Sequence, residues 1–224
     1  MIKLQNPITS SILKKWPAGN ITQYYGENPV LYQTRTNGRL KFHNGIDVIT
    51  KEGDEVRATH SATVLKTDYG ETKYGAGVWL LGDEFFKDTD GDDCVWLTVY
   101  WHLRKDILVK IGDKVKAGDL FGYESNTGFV ISGGTAFWGN APAGKGVHLH
   151  FGCALYCKKQ FYSDSYPYYV NGVAVYPKHF KNGVQGFLDP LYYIEGNTDK
   201  IKSALSFLDY LKAEFMKLLL KWKK

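Results

Sequence analysis

No stretch of 20 consecutive apolar residues occurs in this 224-residue sequence, so no helix long and apolar enough to cross a bilayer is expected. Residues 1–15 hold only isolated apolar side chains, and no apolar core of a secretory leader is visible there. Cysteine is scarce: three residues, an odd number, argue against a disulfide framework. Cys153 and Cys157 sit on what reads as one strand, where four residues span roughly 13 Å, beyond the reach of a bridge. Both are expected to be structural thiols. Excess charge is also missing from most of the chain. The formal net charge is +5, but residues 198–224 contain seven lysines and three acids and so carry +4 of it. The remaining charge, about +1, excludes a strongly basic body steered by its own field onto an anionic polymer. No nucleic-acid partner is expected.

What is present is apolar and aromatic. Hydrophobic residues make up 44% of the chain and aromatic residues 15%, enough for a sizeable core with tyrosines left over for a groove. The length suits one ordinary domain with an appendage. Residues 1–17 read as a leader that packs on the domain or begins an edge strand. From 18 to 122 short β-rich runs alternate with turn residues such as Gly53-Asp54, Gly112-Asp113 and Gly118-Asp119. Val95 to His102 reads as a strand, with Tyr100 and His102 on one face and Val99 and Trp101 on the other. Asp88 to Asp93 places carboxylates at alternate positions, like part of a calcium loop. It lacks the glycine at the sixth position and the glutamate at the twelfth, where Val99 stands, so a solvated hairpin tip is expected. Asn126 to Gly146 is a long loop with six glycines that must border any groove containing His148. In it, Trp138 is either a substrate wall or a loop anchor. Residues 153–186 are tyrosine-rich and carry Asn171-Gly172 and Asn182-Gly183 turns.

Five polar residues in three short runs stand out: His43 and Asp47 in His-Asn-Gly-Ile-Asp, His102 in Tyr-Trp-His-Leu, and His148 and His150 in His-Leu-His. A catalytic zinc site takes three His, Asp, Glu or Cys ligands and keeps a fourth position for water. On a strand, His148 and His150 share one face and Leu149 takes the other. His60 and His179 lie outside these runs and are expected to be structural.

The tail has a different periodicity. Ile201, Ala204, Leu208, Leu211, Phe215, Leu218 and Trp222 recur at helical spacing, and Thr198 suits an N-cap. A basic amphipathic helix over 197–224 is expected. It would dock on its own domain, pair with a second copy, or lie on a membrane or wall surface.

The three runs, in order, resemble the lysostaphin/LytM-type zinc metallo-endopeptidases, which cut peptides of bacterial peptidoglycan. Flanking segments are similar too: Ile21 to Gly26 to the family's opening strand and turn, Val109 to Gly122 to the hairpin after the middle histidine, Asn126-Thr127-Gly128 and His148 to Gly152 to its closing strands, and Asp189-Pro190-Leu191 to its end. The Gly112 to Gly122 segment also occurs in biotinyl and lipoyl carrier domains, which have no use for the histidines. The resemblance implies a mainly β domain over 18–196, an antiparallel two-layer β arrangement with an open groove (the duplicated-hybrid-motif type), with 153–186 as an inserted hairpin. It implies Zn2+ held by His43, Asp47 and His150, with His102 and His148 as unligated catalytic histidines and bacterial peptidoglycan as partner. Tyr100 and Trp138 are the candidate substrate-binding residues. No His-Glu-x-x-His run is present, so two spare histidines would supply acid–base and oxyanion chemistry. The cleaved bond stays open between glycyl-glycine bridges and D-alanyl-diaminopimelate cross-links. With no leader visible, a phage lysin or virion-associated enzyme is expected. The competing class is a catalytically inactive relative serving as a wall-binding or assembly module.

Overall fold

Turn chemistry fixes where strands stop in this chain. Lys51 to Asp54, Lys110 to Asp113 and Lys116 to Asp119 repeat one Lys-x-Gly-Asp turn. In each, the aspartate carboxylate accepts a hydrogen bond from the lysine backbone N–H, at 3.0, 3.0 and 2.8 Å. The third residue has a φ near +90°, which glycine alone adopts cheaply (Gly53 86°, Gly112 90°, Gly118 91°).

The computed structural model describes residues 3–9, 20–49, 51–70, 74–139 and 141–195. The helix expected over 197–224 lies outside the described residues. The elements are β1 (Ile8–Thr9), β2 (Ile21–Gln23), α1 (Pro29–Arg35), β3 (Ile46–Val48), β4 (Glu55–Arg57), β5 (Ala62–Tyr69), β6 (Ala76–Gly82), β7 (Phe86–Lys87), β8 (Asp93–Leu103), β9 (Lys114–Val115), β10 (Leu120–Tyr123), β11 (Phe129–Ser132), β12 (Thr135–Trp138), β13 (Leu149–Cys157), β14 (Tyr168–Val170), β15 (Val173–Pro177) and β16 (Phe187–Leu188), followed by a 3-10 turn at Pro190–Tyr192.

One large antiparallel sheet has the order β14-β15-β13-β8-β6-β5-β9, with β3 and β16 also pairing to β13, β2 to β3 and β7 to β8. A second, small sheet, β1-β4-β10, covers part of it. Ile8, Val56 and Phe121 from the small sheet meet Tyr100, Leu103 and Phe151 from the large one in a single buried cluster. These apolar residues are the inward set of each strand's alternation, and burying them is the main driving force for the two-layer stack. Near the N-terminus, Leu4 and Ile8 are buried in the same core, and Leu4 bridges Ile194.

Several segments differ from the sequence reading. Val109 to Gly122 does not close on itself as a hairpin: β9 pairs with β5 and β10 with β4, in different sheets. A short helix, α1, stands among the strands, with Pro29 in its first turn, where a missing N–H costs nothing. The 126–146 segment is not a plain loop. It holds the β11–β12 hairpin, turned through Gly133 and Gly134 at φ 55° and 80°, the geometry that suits the strands' twist. The Asp88 to Asp93 tip is not simply solvated. The Lys178 ammonium, at the end of β15, donates to Asp88, to Asp90 at 2.7 Å and to Asp92 at 2.9 Å. Lys178 and Asp88 side chains are only 5% and 1% exposed, so a lysine sits where a cation would.

The cysteine expectation is also corrected. Cys94 and Cys157 form a disulfide, while Cys153 is a buried free thiol. The partner of Cys157 lies 63 residues away. Strand pairing of β8 with β13 sets the two cysteines directly opposite each other, a relation that local spacing does not reveal.

Candidate active site

The site is built by register. β3, β13 and β8 lie side by side, with His150 opposite Asp47 on one flank and Trp101 on the other. Alternation sends Ile46, Val48, Leu149 and Phe151 into the core and leaves Asp47 and His150 on the groove face. His43 arrives from the turn before β3. Gly45 makes the approach possible: a Cβ there would stand 2.4 Å from the Phe151 carbonyl and 2.9 Å from His150 Nε2.

His43 Nε2, Asp47 Oδ1 and His150 Nδ1 form a triangle with edges of 3.0, 3.1 and 3.0 Å. Tetrahedral ligands at roughly 2.0–2.1 Å from zinc stand about 3.3 Å apart. The three donor atoms therefore need open by only a few tenths of an ångström to hold that ion, and their chemistry, two imidazoles and a carboxylate, suits zinc. Burial disfavours charge on Asp47, yet the imidazoles of His43 and His148 outweigh it and hold the carboxyl well below the usual carboxylate range. Burial lowers His150, favouring the neutral form a metal ligand needs.

The histidines are oriented from behind. His43 Nδ1 lies 3.0 Å from the Tyr24 carbonyl, His102 Nδ1 2.8 Å from that of Thr127, and His148 Nδ1 2.8 Å from that of Gly146. An imidazole that donates from Nδ1 presents its Nε2 lone pair on the other side. His102 and His148 face each other with ring centroids 4.4 Å apart, and His148 Nε2 is 3.7 Å from Asp47 Oδ2. Burial, with His148 as the next cause, pushes His102 down to about 3, so it is neutral at pH 7.

Asp47, His102, His148 and His150 line one groove together with Trp138, and the buried His43 joins them through its contacts with Asp47 and His150. Tyr100 does not. It is buried in the core, its hydroxyl accepting from the Thr59 N–H at 3.1 Å and the Thr98 hydroxyl at 3.1 Å. The reason is a bulge. β6 pairs Gly77 with Trp101 and Ala76 with Leu103, which leaves His102 as the extra residue, at φ 68°. A bulge turns one side chain to the opposite face, so His102 joins Trp101 rather than Tyr100. His60 is buried outside this groove, with no hydrogen-bond partner among the described residues.

Sequence reasoning missed three contributors. Trp101 stacks on His150 at 5.1 Å, and Tyr32 of α1 stacks on His43 at 5.3 Å. Arg35 reaches across the groove mouth to Phe129 and Trp138. The groove has a cavity volume of about 330 Å³, with α1 on one side and the β11–β12 hairpin on the other.

A mainly β antiparallel domain with a His/Asp/His group that could hold a metal ion, and two further histidines beside it, is the arrangement of a metallopeptidase-type site. Residues 41–161 match Peptidase family M23, and the chain belongs to that family. It is 33% identical over 132 residues to the glycyl-glycine endopeptidase ALE-1 of Staphylococcus capitis, a match covering 59% of this chain and 29% of that protein. It is 32% identical over 134 residues to lysostaphin of Staphylococcus staphylolyticus, covering 59% and 22%. The catalytic domain of lysostaphin from Staphylococcus simulans is a similar solved structure, with 25% identity, a TM-score of 0.35, and coverage of 51% of this chain and 68% of that one. The chain thus spans 29% and 22% of the length of these two curated relatives.

Proposed function

We propose that this domain is a zinc-dependent endopeptidase that hydrolyses stem or cross-bridge peptides of bacterial peptidoglycan. The observation that carries the reading is the triangle of His43, Asp47 and His150 donor atoms beside two histidines that present Nε2 to the same groove. Zinc, when bound there, supplies a Lewis acid and brings a coordinated water near neutral pKa. Asp47 contributes an ionised ligand. Of His102 and His148, one would serve as general base through its Nε2 lone pair, and the other, once protonated to imidazolium, would donate from Nε2 to a developing oxyanion. The backbone carbonyls of Thr127 and Gly146 keep both rings in the required orientation, and each stabilises the imidazolium formed when Nε2 gains a proton. Trp101, Tyr32 and Trp138 give the peptide apolar walls and narrow the water's access. Family membership supports this chemistry, and one relative is named for glycyl-glycine cleavage.

The test is metal content together with hydrolysis of purified peptidoglycan, followed by mass spectrometry of the released muropeptides. One zinc per chain and new amino termini are expected. Stoichiometric zinc with no bond cleaved in walls of several chemotypes would replace this reading with that of a wall-binding module.

A further inference from the structure

We propose that Arg35 is a specificity-determining residue that binds a free carboxylate on the substrate peptide. The substrate class rests on the peptidase reading above; the carboxylate site itself rests on the groove.

Among the described residues that line the groove, Arg35 is the one lysine or arginine, and Asp47 the one carboxylate. Asp47 is engaged with His43 and His150 and makes no ion pair with Arg35. The Arg35 guanidinium carbon lies 4.6 Å from the centroid of Phe129 and 4.9 Å from that of Trp138. These rings belong to the opposite wall and are themselves packed at 4.4 Å. A guanidinium stacked on rings uses its faces and leaves its in-plane N–H donors free. Among the described residues no carboxylate pairs with Arg35 and no oxygen accepts from it. An arginine serving only as a strap between α1 and the hairpin would gain from such an acceptor. One whose edge is kept open, preset by two rings, is suited to a bidentate carboxylate partner brought by a ligand. The walls fit a peptide lying along the groove, so the ligand is a peptide with a free carboxylate near its scissile bond, rather than an uncharged run.

The experiment uses the zinc-loaded protein on two materials: purified peptidoglycan, and the same peptidoglycan with its carboxylates converted to primary amides by carbodiimide and ammonium. Release of new amino groups and the fraction of protein sedimenting with the polymer are both measured, for wild type, Arg35→Gln and Arg35→Lys. Wild type is expected to cleave untreated material roughly tenfold or more faster than amidated material, the scale of a charge-assisted contact. Arg35→Gln should lose this preference by slowing only on untreated material, and Arg35→Lys should keep part of it. A preference in wild type that survives in Arg35→Gln, equal losses on both materials, or no preference in wild type by either readout, would overturn the proposal. If nothing is cleaved but sedimentation depends on carboxylates through Arg35, the peptidase reading fails and the carboxylate site stands. If cleavage ignores carboxylates, the reverse holds.

Discussion

His102 combines a strained backbone with a place in the candidate site. Its φ of 68° is uncommon for a residue with a side chain, and such outliers persist where surrounding structure fixes them. Here β6, β13 and the Thr127 carbonyl do so. Replacing His102 or His148 with alanine should leave zinc content unchanged by elemental analysis and lower turnover roughly 10²-fold or more. Alanine at His43 or Asp47 should remove metal and activity together. Zinc loss from His148→Ala with retention in His150→Ala would mean that the two roles are exchanged. The pairing of His148 with His150 was legible in sequence because alternation over three residues leading into β13 is local. The face of Tyr100 was not, because a one-residue bulge reverses the pattern and nothing in Tyr-Trp-His-Leu marks it.

Glu124 gives a second test at this scale. It is fully buried, and the nearby Leu149 backbone N–H is too weak a partner to offset that burial. Burial, with Asp54 as the next cause, pushes it up to about 9. A carboxyl raised in the folded state holds a proton that the unfolded chain has already lost. Its stabilising share is therefore present at low pH and falls as pH rises from about 4.5 towards about 9. Glu124→Gln should flatten the pH dependence of unfolding free energy across that window and raise stability at neutral pH. Denaturant melts at several pH values check this, and a parallel slope in both proteins would contradict it.

At the scale of elements, the β8–β13 pair is the backbone of the site. Cys94 lies seven residues before Trp101 and Cys157 seven after His150, so one register supports both the groove and the disulfide. Once His102 and His150 are known to share a site, antiparallel pairing brings the cysteines together. Without that register, spacing alone pointed to free thiols. Cys94→Ser/Cys157→Ser should lose about 2–4 kcal/mol of stability and keep its zinc, because the crosslink sits at the far end of both strands. Calorimetry with metal analysis checks both halves. The Asn28-Pro29 start of α1 and the Gly133-Gly134 turn are readable signals for short elements.

On the scale of the whole molecule, two kinds of cation organise two ends. The groove has a His43, Asp47 and His150 group that could hold a metal ion. The Asp88, Asp90 and Asp92 tip holds the Lys178 ammonium: burial lowers Lys178, but the hydrogen bonds it donates to these aspartates outweigh that and keep it charged. Lys178→Met would leave facing carboxylates uncompensated, at a cost of roughly 3 kcal/mol, read from urea denaturation. The Lys178 relation is not visible in sequence, since Lys178 is separated from Asp88 by 90 positions, whereas the His43, Asp47 and His150 group is.

A lysine in this role is a counter-ion on a leash. A dissolved ion leaves when its concentration falls, whereas a tethered one keeps a high effective concentration at its site. Attachment of the β14–β15 hairpin to the β7–β8 tip is thereby independent of calcium supply. A chelator should strip the catalytic metal and silence the groove while this corner of the protein stays closed. Hydrogen exchange at β15 would therefore be the same before and after chelation, even as the residues around His43 and His150 lose protection.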